Sequence, residues 1–314
     1  AHEKWCACQA RPFSYCTSMS AFTVVGLGEL LWDFLPTGSL LGGAPCNVAF
    51  HANALGDRGI IVSRVGADAL GETALKLLGR SGVDVSHVQR DSVAPTGTVS
   101  VSLDKRRQPT FTITTDVAWD RMEWTDEWLG VARKADAVCF GTLAQRTAQS
   151  RSTIGSFIDA LKPECLTVFD VNLRQFFYSP DIIRSSLSRA NACKMNEQEL
   201  PTVASALGIP VSNTIETARR IVDAFELRLL AVTRGSRGSV IVAADETVEH
   251  PGFRVTVQDT VGAGDAFVAG VIHGVLHGMS FADTIHVASE RGAWVAMHSG
   301  AMPDPASFDR RAFM

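Results

Sequence analysis

No stretch of this chain reaches the roughly 18 to 20 consecutive apolar residues that a membrane-spanning helix needs, and residues 1–20 lack the apolar core of a secretion signal. Positive charge is not in excess: 29 Lys and Arg stand against 33 Asp and Glu, a net −4. That balance argues against work on nucleic acid or an anionic membrane, while leaving room for a local basic pocket for a nucleotide. Paired cysteine spacings are missing too. Cys46, Cys139, Cys165 and Cys193 lie scattered in apolar settings, as buried, reduced thiols of a cytoplasmic protein would. Cys6, Cys8 and Cys16 have no fourth ligand nearby to make a zinc site. There is no G-x-x-x-x-G-K-[ST] phosphate loop. Gly26-Leu27-Gly28 begins like a dinucleotide fingerprint, but Leu31 stands where its third glycine belongs. His273 and His277 have the i, i+4 spacing of zinc ligands. Gly274 replaces the Glu of the metalloprotease motif and no other ligand cluster stands nearby, so they read as helix-surface histidines.

What remains is an ordinary globular composition. The 314 residues are 46% hydrophobic and 20% charged, enough for one large α/β domain or two smaller ones. Apolar strand-like runs at Thr23–Leu27, Ile60–Val65, Ala137–Phe140, Thr167–Val171, Ala192–Met195, Leu229–Thr233 and Ser239–Ala243 alternate with helical spacings at Asn47–Leu55, Ala69–Ser81, Ser152–Leu161 and Thr214–Phe225. Such alternation predicts a mostly parallel sheet covered by helices on both faces. Leu30–Leu35 reads as a further extended run. Thr96–Leu103 and Pro109–Thr115 alternate β-branched and polar residues around the charged turn Asp104–Arg107, which predicts a hairpin. The expected organisation is an N-terminal extension over 1–20, disordered or without function. One large α/β domain over 21–314 follows, carrying a small β lid from about 29–41 and 91–117.

The most informative segment is Asp259-Thr260-Val261-Gly262-Ala263-Gly264-Asp265. Small residues let backbone N–H groups converge on one point, and the helical run expected over Ala266–Met279 begins directly afterwards. A helix start binds anions through its free N–H groups and partial positive charge. Asp265 would only repel a phosphate there unless it takes a proton from an attacking hydroxyl. The combination points to phosphoryl transfer to an alcohol.

Other polar clusters close apolar strands or open helices. Gly42-Gly43-Ala44-Pro45-Cys46-Asn47 allows close backbone approach and offers an amide to hydroxyls. Asp170-Val171-Asn172-Leu173-Arg174 lies at a strand's carboxyl end, where ligands bind in open α/β sheets. Asn196 and Glu199 offer oxygens suited to magnesium. Thr233-Arg234-Gly235-Ser236-Arg237-Gly238 is another glycine-rich strand end.

Together, DTVGAGDAFVAG, GGAPCN with Leu55-Gly56 and Val65-Gly66-Ala67-Asp68-Ala69-Leu70-Gly71, Asp-x-Asn-x-Arg and Asn-x-x-Glu closely resemble the PfkB (ribokinase-like) carbohydrate kinases, in order, from about Thr23 to Ser307. The resemblance implies a three-layer ribokinase-like domain with a β lid and an ATP-dependent sugar kinase. It implies that Asp265 is the base and that the amides of Gly262, Ala263 and Gly264 stabilise the moving phosphoryl group. Asp33, Gly42, Gly43 and Asn47 would hold the sugar, and Arg174 either the sugar or the phosphates. Asn196, Thr233, Gly235 and Gly238 would bind ATP. Mg2+ would sit near Asn196 and Glu199 through water, and a monovalent cation such as K+ near Asp259, Val261 and Gly300. Gly-Gly-Ala-Pro-x-Asn, Ala118-Trp119-Asp120 and Asn172-Leu173-Arg174 look most like the bacterial fructokinases. Ribokinase, nucleoside kinase, 2-keto-3-deoxygluconate kinase and a non-catalytic sugar-binding relative are the alternatives. An exposed lid edge implies a homodimer.

Overall fold

A computed structural model describes residues 21–35, 38–103 and 109–313. The expected N-terminal extension and the charged turn at 104–107 lie outside the described residues. In chain order the first strands are β1 (Thr23–Leu27), β2 (Leu31–Leu35), β3 (Gly38–Gly42), β4 (Arg58–Gly66), β5 (Val88–Asp91), β6 (Gly97–Leu103) and β7 (Pro109–Ile113). There follow β8 (Ala137–Gly141), β9 (Leu166–Asp170), β10 (Ala192–Asn196), β11 (Leu229–Thr233), β12 (Ser239–Val242) and β13 (Thr247–His250). The first helices are α1 (Ala44–Ala54), α2 (Ala69–Arg80), α3 (Asp126–Ala132), α4 (Ala148–Asp159) and α5 (Pro180–Arg189). The others are α6 (Glu199–Leu207), α7 (Thr214–Phe225), α8 (Ala263–Leu276) and α9 (Phe281–Ala296).

Nine strands form one sheet in the order β13-β12-β11-β10-β9-β8-β1-β4-β5. It is parallel from β11 to β5, with the antiparallel hairpin β12–β13 at one edge. Successive side chains alternate between faces. Val24 and Val168 join a cluster with Val48 of α1, Phe267 and Ile272 of α8 and Ile285 of α9. Val25 and Phe169 point the other way, into a cluster with Ile154 and Phe157 of α4, Ile183 of α5, Val203 of α6 and Ile221 of α7. These buried side chains contribute roughly 1.5–3 kcal/mol each, against about 1 kcal/mol for a helix cap. Packing, not capping, therefore fixes the layers.

The lid is a four-stranded sheet in the order β3-β2-β6-β7, standing apart from the main one. The predicted hairpin is present, with Val99 opposite Ile113. Asp91, the first residue of the expected second lid segment, instead ends β5, which runs parallel to β4 in the main sheet. Asp68 fastens the lid's base: it accepts from Gly71 N–H (2.8 Å), capping α2, and from Thr96 N–H (2.8 Å), just before β6. Strand order reverses between β1 and β8, so the crevice at their carboxyl ends is the place for a ligand.

Candidate functional site

Helix α8 starts earlier than its apolar run predicts. Gly262, in the left-handed region (φ 78°), is its N-cap, so Asp265 lies inside the first turn rather than before it. A Cβ on Gly262 would sit 2.3 Å from the Ala301 Cβ, so the loop at 299–302 closes against this turn only because residue 262 is glycine. The first N–H groups of α8 have no partner within the helix. That of Ala263 makes a long bond to Thr260 O (3.3 Å).

Asp265 is held across the crevice by Asn47 of α1, whose Nδ2 donates to Asp265 Oδ2 at 2.6 Å. Burial pushes its pKa up to about 6, the Asp170 charge pushes the same way, and Asn47, Lys194 and Arg174 oppose them. Asp170 ends β9 and pairs with Lys194 of β10 at 3.1 Å, both side chains almost fully buried. A Cβ on Gly264 would come within 3.0 Å of Lys194 Nζ, so this ammonium packs directly against the first turn of α8. Burial alone would lower the Lys194 pKa, but Asp170, Glu199 and Asp265 outweigh it and raise it.

Glu29, following β1, is the other residue that motif reading passes over. Its Oε1 accepts from Ala44 N–H (3.3 Å), Oε2 is buried without a partner, and burial raises its pKa to about 7. Both omissions had a signal. Lys194 is a lone cation inside the apolar run Cys193–Met195, and Glu29 a lone acid between Leu27 and Leu30.

Of the residues that the resemblance assigns to the sugar, Asn47 touches Asp265 directly. Asp33 on β2 is half-buried, which lifts its pKa to about 6 against the opposing charge of exposed Arg174. Gly42 and Gly43 are glycines for steric reasons. A Cβ on Gly42 would lie 2.7 Å from Asp33 Oδ2, and one on Gly43 (φ 111°) 2.3 Å from Glu29 O. Arg174 bears on Glu29, Asp33 and Asp265 alike, lowering the pKa of each.

Along the same edge, Asn196 ends β10, and its Oδ1 accepts from the N–H groups of Gln198 (2.9 Å) and Glu199 (2.8 Å). Glu199 reciprocates, taking Asn196 N–H at 2.8 Å through Oε2, while Oε1 takes Leu173 N–H at 2.9 Å. This is the logic of a capping box, and it also ties the 170–174 loop to α6. Thr233 ends β11, and Gly235 and Gly238 have positive φ (59° and 81°) in the turn that follows. The arginines of that turn are paired, Arg234 with Glu249 (2.7 Å) and Arg237 with Glu197.

Asp259 accepts from Val261 N–H (3.0 Å) and Gly300 N–H (3.1 Å), which brings together the three residues assigned to a monovalent cation. Behind them His51 is buried, its pKa lowered to about 4 chiefly by that burial, so the neutral ring donates Nε2–H to Ala301 O at 2.8 Å.

One further expectation needs correction. His273 and His277 are not surface residues. Both rings bond to the buried Asp57 carboxylate, because the α1–β4 loop folds under the end of α8. Trp119 and Asp120 face the core: Asp120 pairs with Arg146 (2.7 Å), whose guanidinium lies 3.9 Å from the Trp119 ring centre. The four internal cysteines are free and buried, as expected. Among the described residues, no helix is long and apolar enough to cross a membrane. Cavities of about 380 Å³ by Arg151 and Arg189, and about 320 Å³ by Leu40 and Leu77, are not lined by Asp265.

Known proteins share this fold. The chain superposes with a TM-score of 0.77 on an uncharacterized sugar kinase from Pyrococcus horikoshii, 27% identical, covering 92% of this chain and 98% of that one. A Vibrio cholerae fructokinase in its fructose-, ADP- and calcium-bound form gives 0.76 at 26% identity, over 90% of this chain and 96% of that one. In sequence, a Klebsiella pneumoniae fructokinase is 31% identical over 301 residues, 88% of this chain and 94% of its own. The description of pfkB family carbohydrate kinases matches residues 37–307, so the chain belongs to that family and is a sugar kinase.

Proposed function

We propose that the chain transfers the γ-phosphoryl group of ATP to a primary hydroxyl of fructose. The observation that carries this reading is Asp265 in the first turn of α8, held by Asn47 over the Gly262–Gly264 backbone. Asp265 takes the hydroxyl proton, the sugar oxygen bonds to the γ-phosphorus, and the bond from that phosphorus to the β,γ-bridging oxygen breaks to release ADP. The amides of Gly262, Ala263 and Gly264 receive charge on the phosphoryl oxygens, where catalysis of this reaction mostly resides. Asp33, Gly42, Gly43 and Asn47 bind the sugar. The buried, unpartnered Oδ1 of Asn47 supports this, as an acceptor awaiting a hydroxyl. Arg174 serves the sugar side, its charge bearing on Asp33 as well as Asp265.

Asn196, Thr233, Gly235 and Gly238 form the nucleotide side. The donors there fit magnesium: each Glu199 oxygen accepts one backbone N–H and keeps a lone pair for a metal-bound water. Bound Mg2+ would offset the charge of the nucleotide phosphates. Asp259, Val261 and Gly300 would hold K+ beside the cradle. The lid closes over the sugar and keeps water from competing as acceptor. A second copy pairs through the lid edge as a homodimer, and the setting is the cytoplasm. Fructose is favoured by the fructokinase relatives and by the fructose-bound V. cholerae enzyme.

A coupled assay of ADP release with fructose, ribose, 2-keto-3-deoxygluconate, fructose 6-phosphate and adenosine tests the reading. Fructose is expected to give the highest kcat/KM, with release at least about 100-fold slower in Asp265→Asn. A higher value for another acceptor overturns the substrate, and no acceptor-dependent release overturns the reaction.

A further inference from the structure

We propose that Asp57, His273 and His277 form a second site, remote from the phosphoryl-transfer crevice, that binds a divalent transition metal of the zinc type. His273 and His277 sit one helical turn apart at the end of α8, the spacing that aims two imidazoles at one point. The third ligand comes from the loop between α1 and β4. Asp57 Oδ2 lies 2.7 Å from His273 Nδ1, and Oδ1 lies 2.9 Å from His277 Nε2. One nitrogen or oxygen from each residue falls within 4.8 Å of the others.

Charge argues for a cation here. The Asp57 side chain is 0% exposed, and among the described residues its carboxylate meets only these two rings. A carboxylate buried this completely is costly unless a positive charge is placed beside it. A dication supplies that charge. Two imidazoles and one carboxylate suit zinc better than magnesium, which prefers an oxygen shell and keeps its waters.

Geometry permits it with side-chain adjustment. Ligands about 2.0–2.1 Å from a tetrahedral zinc stand roughly 3.3 Å apart, so the three ligand atoms, one from each residue and now within 4.8 Å of one another, must draw together by up to about 1.5 Å. On binding, each ring moves its proton to the nitrogen facing away from the metal, and the pairs freed at His273 Nδ1 and His277 Nε2 become ligands. His277 can yield, because it lies just past the last turn of α8. Its side chain is 14% exposed, which gives the ion a way in and leaves a fourth position for water. The Phe22 ring, edge-on to His277 at 4.9 Å, walls the other side.

The site would staple the α1–β4 loop to α8 at the amino ends of the strands. The crevice is at the opposite end of the same helix, roughly 18 Å away for the twelve residues from Asp265 to His277. Zinc titration of the metal-free full-length chain by calorimetry, with melting curves in zinc and in magnesium, tests the proposal. One zinc per chain is expected, with a melting temperature raised by zinc and unmoved by equal magnesium. His277→Ala should weaken zinc binding at least tenfold while retaining kinase turnover, and Asp57→Asn should do the same to the binding. A cobalt-loaded chain should lack thiolate charge-transfer bands. Equal zinc binding by His277→Ala, strong thiolate bands, or a melting temperature indifferent to zinc would overturn the site. The last result would leave Asp57 as a structural partner of the two rings and nothing more.

Discussion

Asn47 and Asp265 are 218 positions apart in the chain, yet a 2.6 Å hydrogen bond joins them across the mouth of the crevice. This bond connects α1 to α8, and it bears directly on the charge state of the proposed base. An amide N–H bonded to a carboxylate favours the ionised form, opposing the burial and the Asp170 charge that hold the Asp265 pKa near 6. Asn47→Ala should therefore raise that pKa and remove a sugar contact. The expected result is a drop in kcat/KM of about 10- to 100-fold (roughly 1.4–2.7 kcal/mol), with the acid limb of the pH profile moved upward. An unmoved limb would mean that the bond does not tune the base.

Asp265 itself should show opposite effects on activity and stability. As the base it must be ionised, so turnover should fall as pH drops through about 6. Asp265→Asn should cost about 10²- to 10⁴-fold in kcat. The stability sign follows from proton binding. Because the folded pKa is raised, the folded state holds more protons than the unfolded one between about pH 4 and 6. Stability from this group is therefore full below pH 4 and lost as pH rises through 6. The mutant should melt higher than the parent at pH 8, by up to about 3 kcal/mol for a shift of about two units. Burial lifts Glu29 and Asp33 in the same direction, so the parent's own stability should decline from pH 4 toward 7. A mutant that melts lower at pH 8 contradicts the assignment.

Gly262→Ala probes the cradle's shape. The residue needs φ 78°, and a Cβ would lie 2.3 Å from that of Ala301. The left-handed conformation alone costs an alanine about 1–2 kcal/mol. The clash must also push the 299–302 loop away. Urea unfolding should show more than 2 kcal/mol lost, and KM for ATP should rise with it. Near-parental stability would show that the loop moves freely.

Much of this could be read in the chain because it is local. The run Thr23–Leu27 is β1 without revision, and Thr214–Phe225 is α7, since apolar period and bounding residues agree there. The start of α8 was misread because Ala263-Gly264-Asp265 has no apolar period, and the backbone conformation of Gly262 decides the boundary. Residues acting through distant partners were harder. Asp57 becomes a partner of His273 only when α1 and α8 pack side by side. The role of Lys194 depends on β9 and β10 being neighbours. Asp120, conspicuous beside Trp119, turned out to pair with Arg146 in the core, a distinction that depends on which way a short 3-10 helix faces.

Lys194 gives the sharpest test of how the site is supported from below. Its ammonium and the Asp170 carboxylate are nearly inaccessible to water, and Asp170 Oδ2 has no hydrogen-bond partner among the described residues. Removing one member of such a pair leaves the other charge buried and alone, at a cost of about 3–5 kcal/mol. Lys194→Met should show that loss in urea unfolding, and it should raise the Asp265 pKa, because a cation that opposes the Asp170 charge has gone. Adding Asp170→Asn removes the stranded carboxylate as well. The double mutant should therefore regain most of the stability and return the acid limb toward its original pH, while KM for ATP stays high because the positive charge under Gly264 is still missing. Additive losses in the double mutant would mean that the two residues act separately and that the pair does not hold the cradle's charge balance.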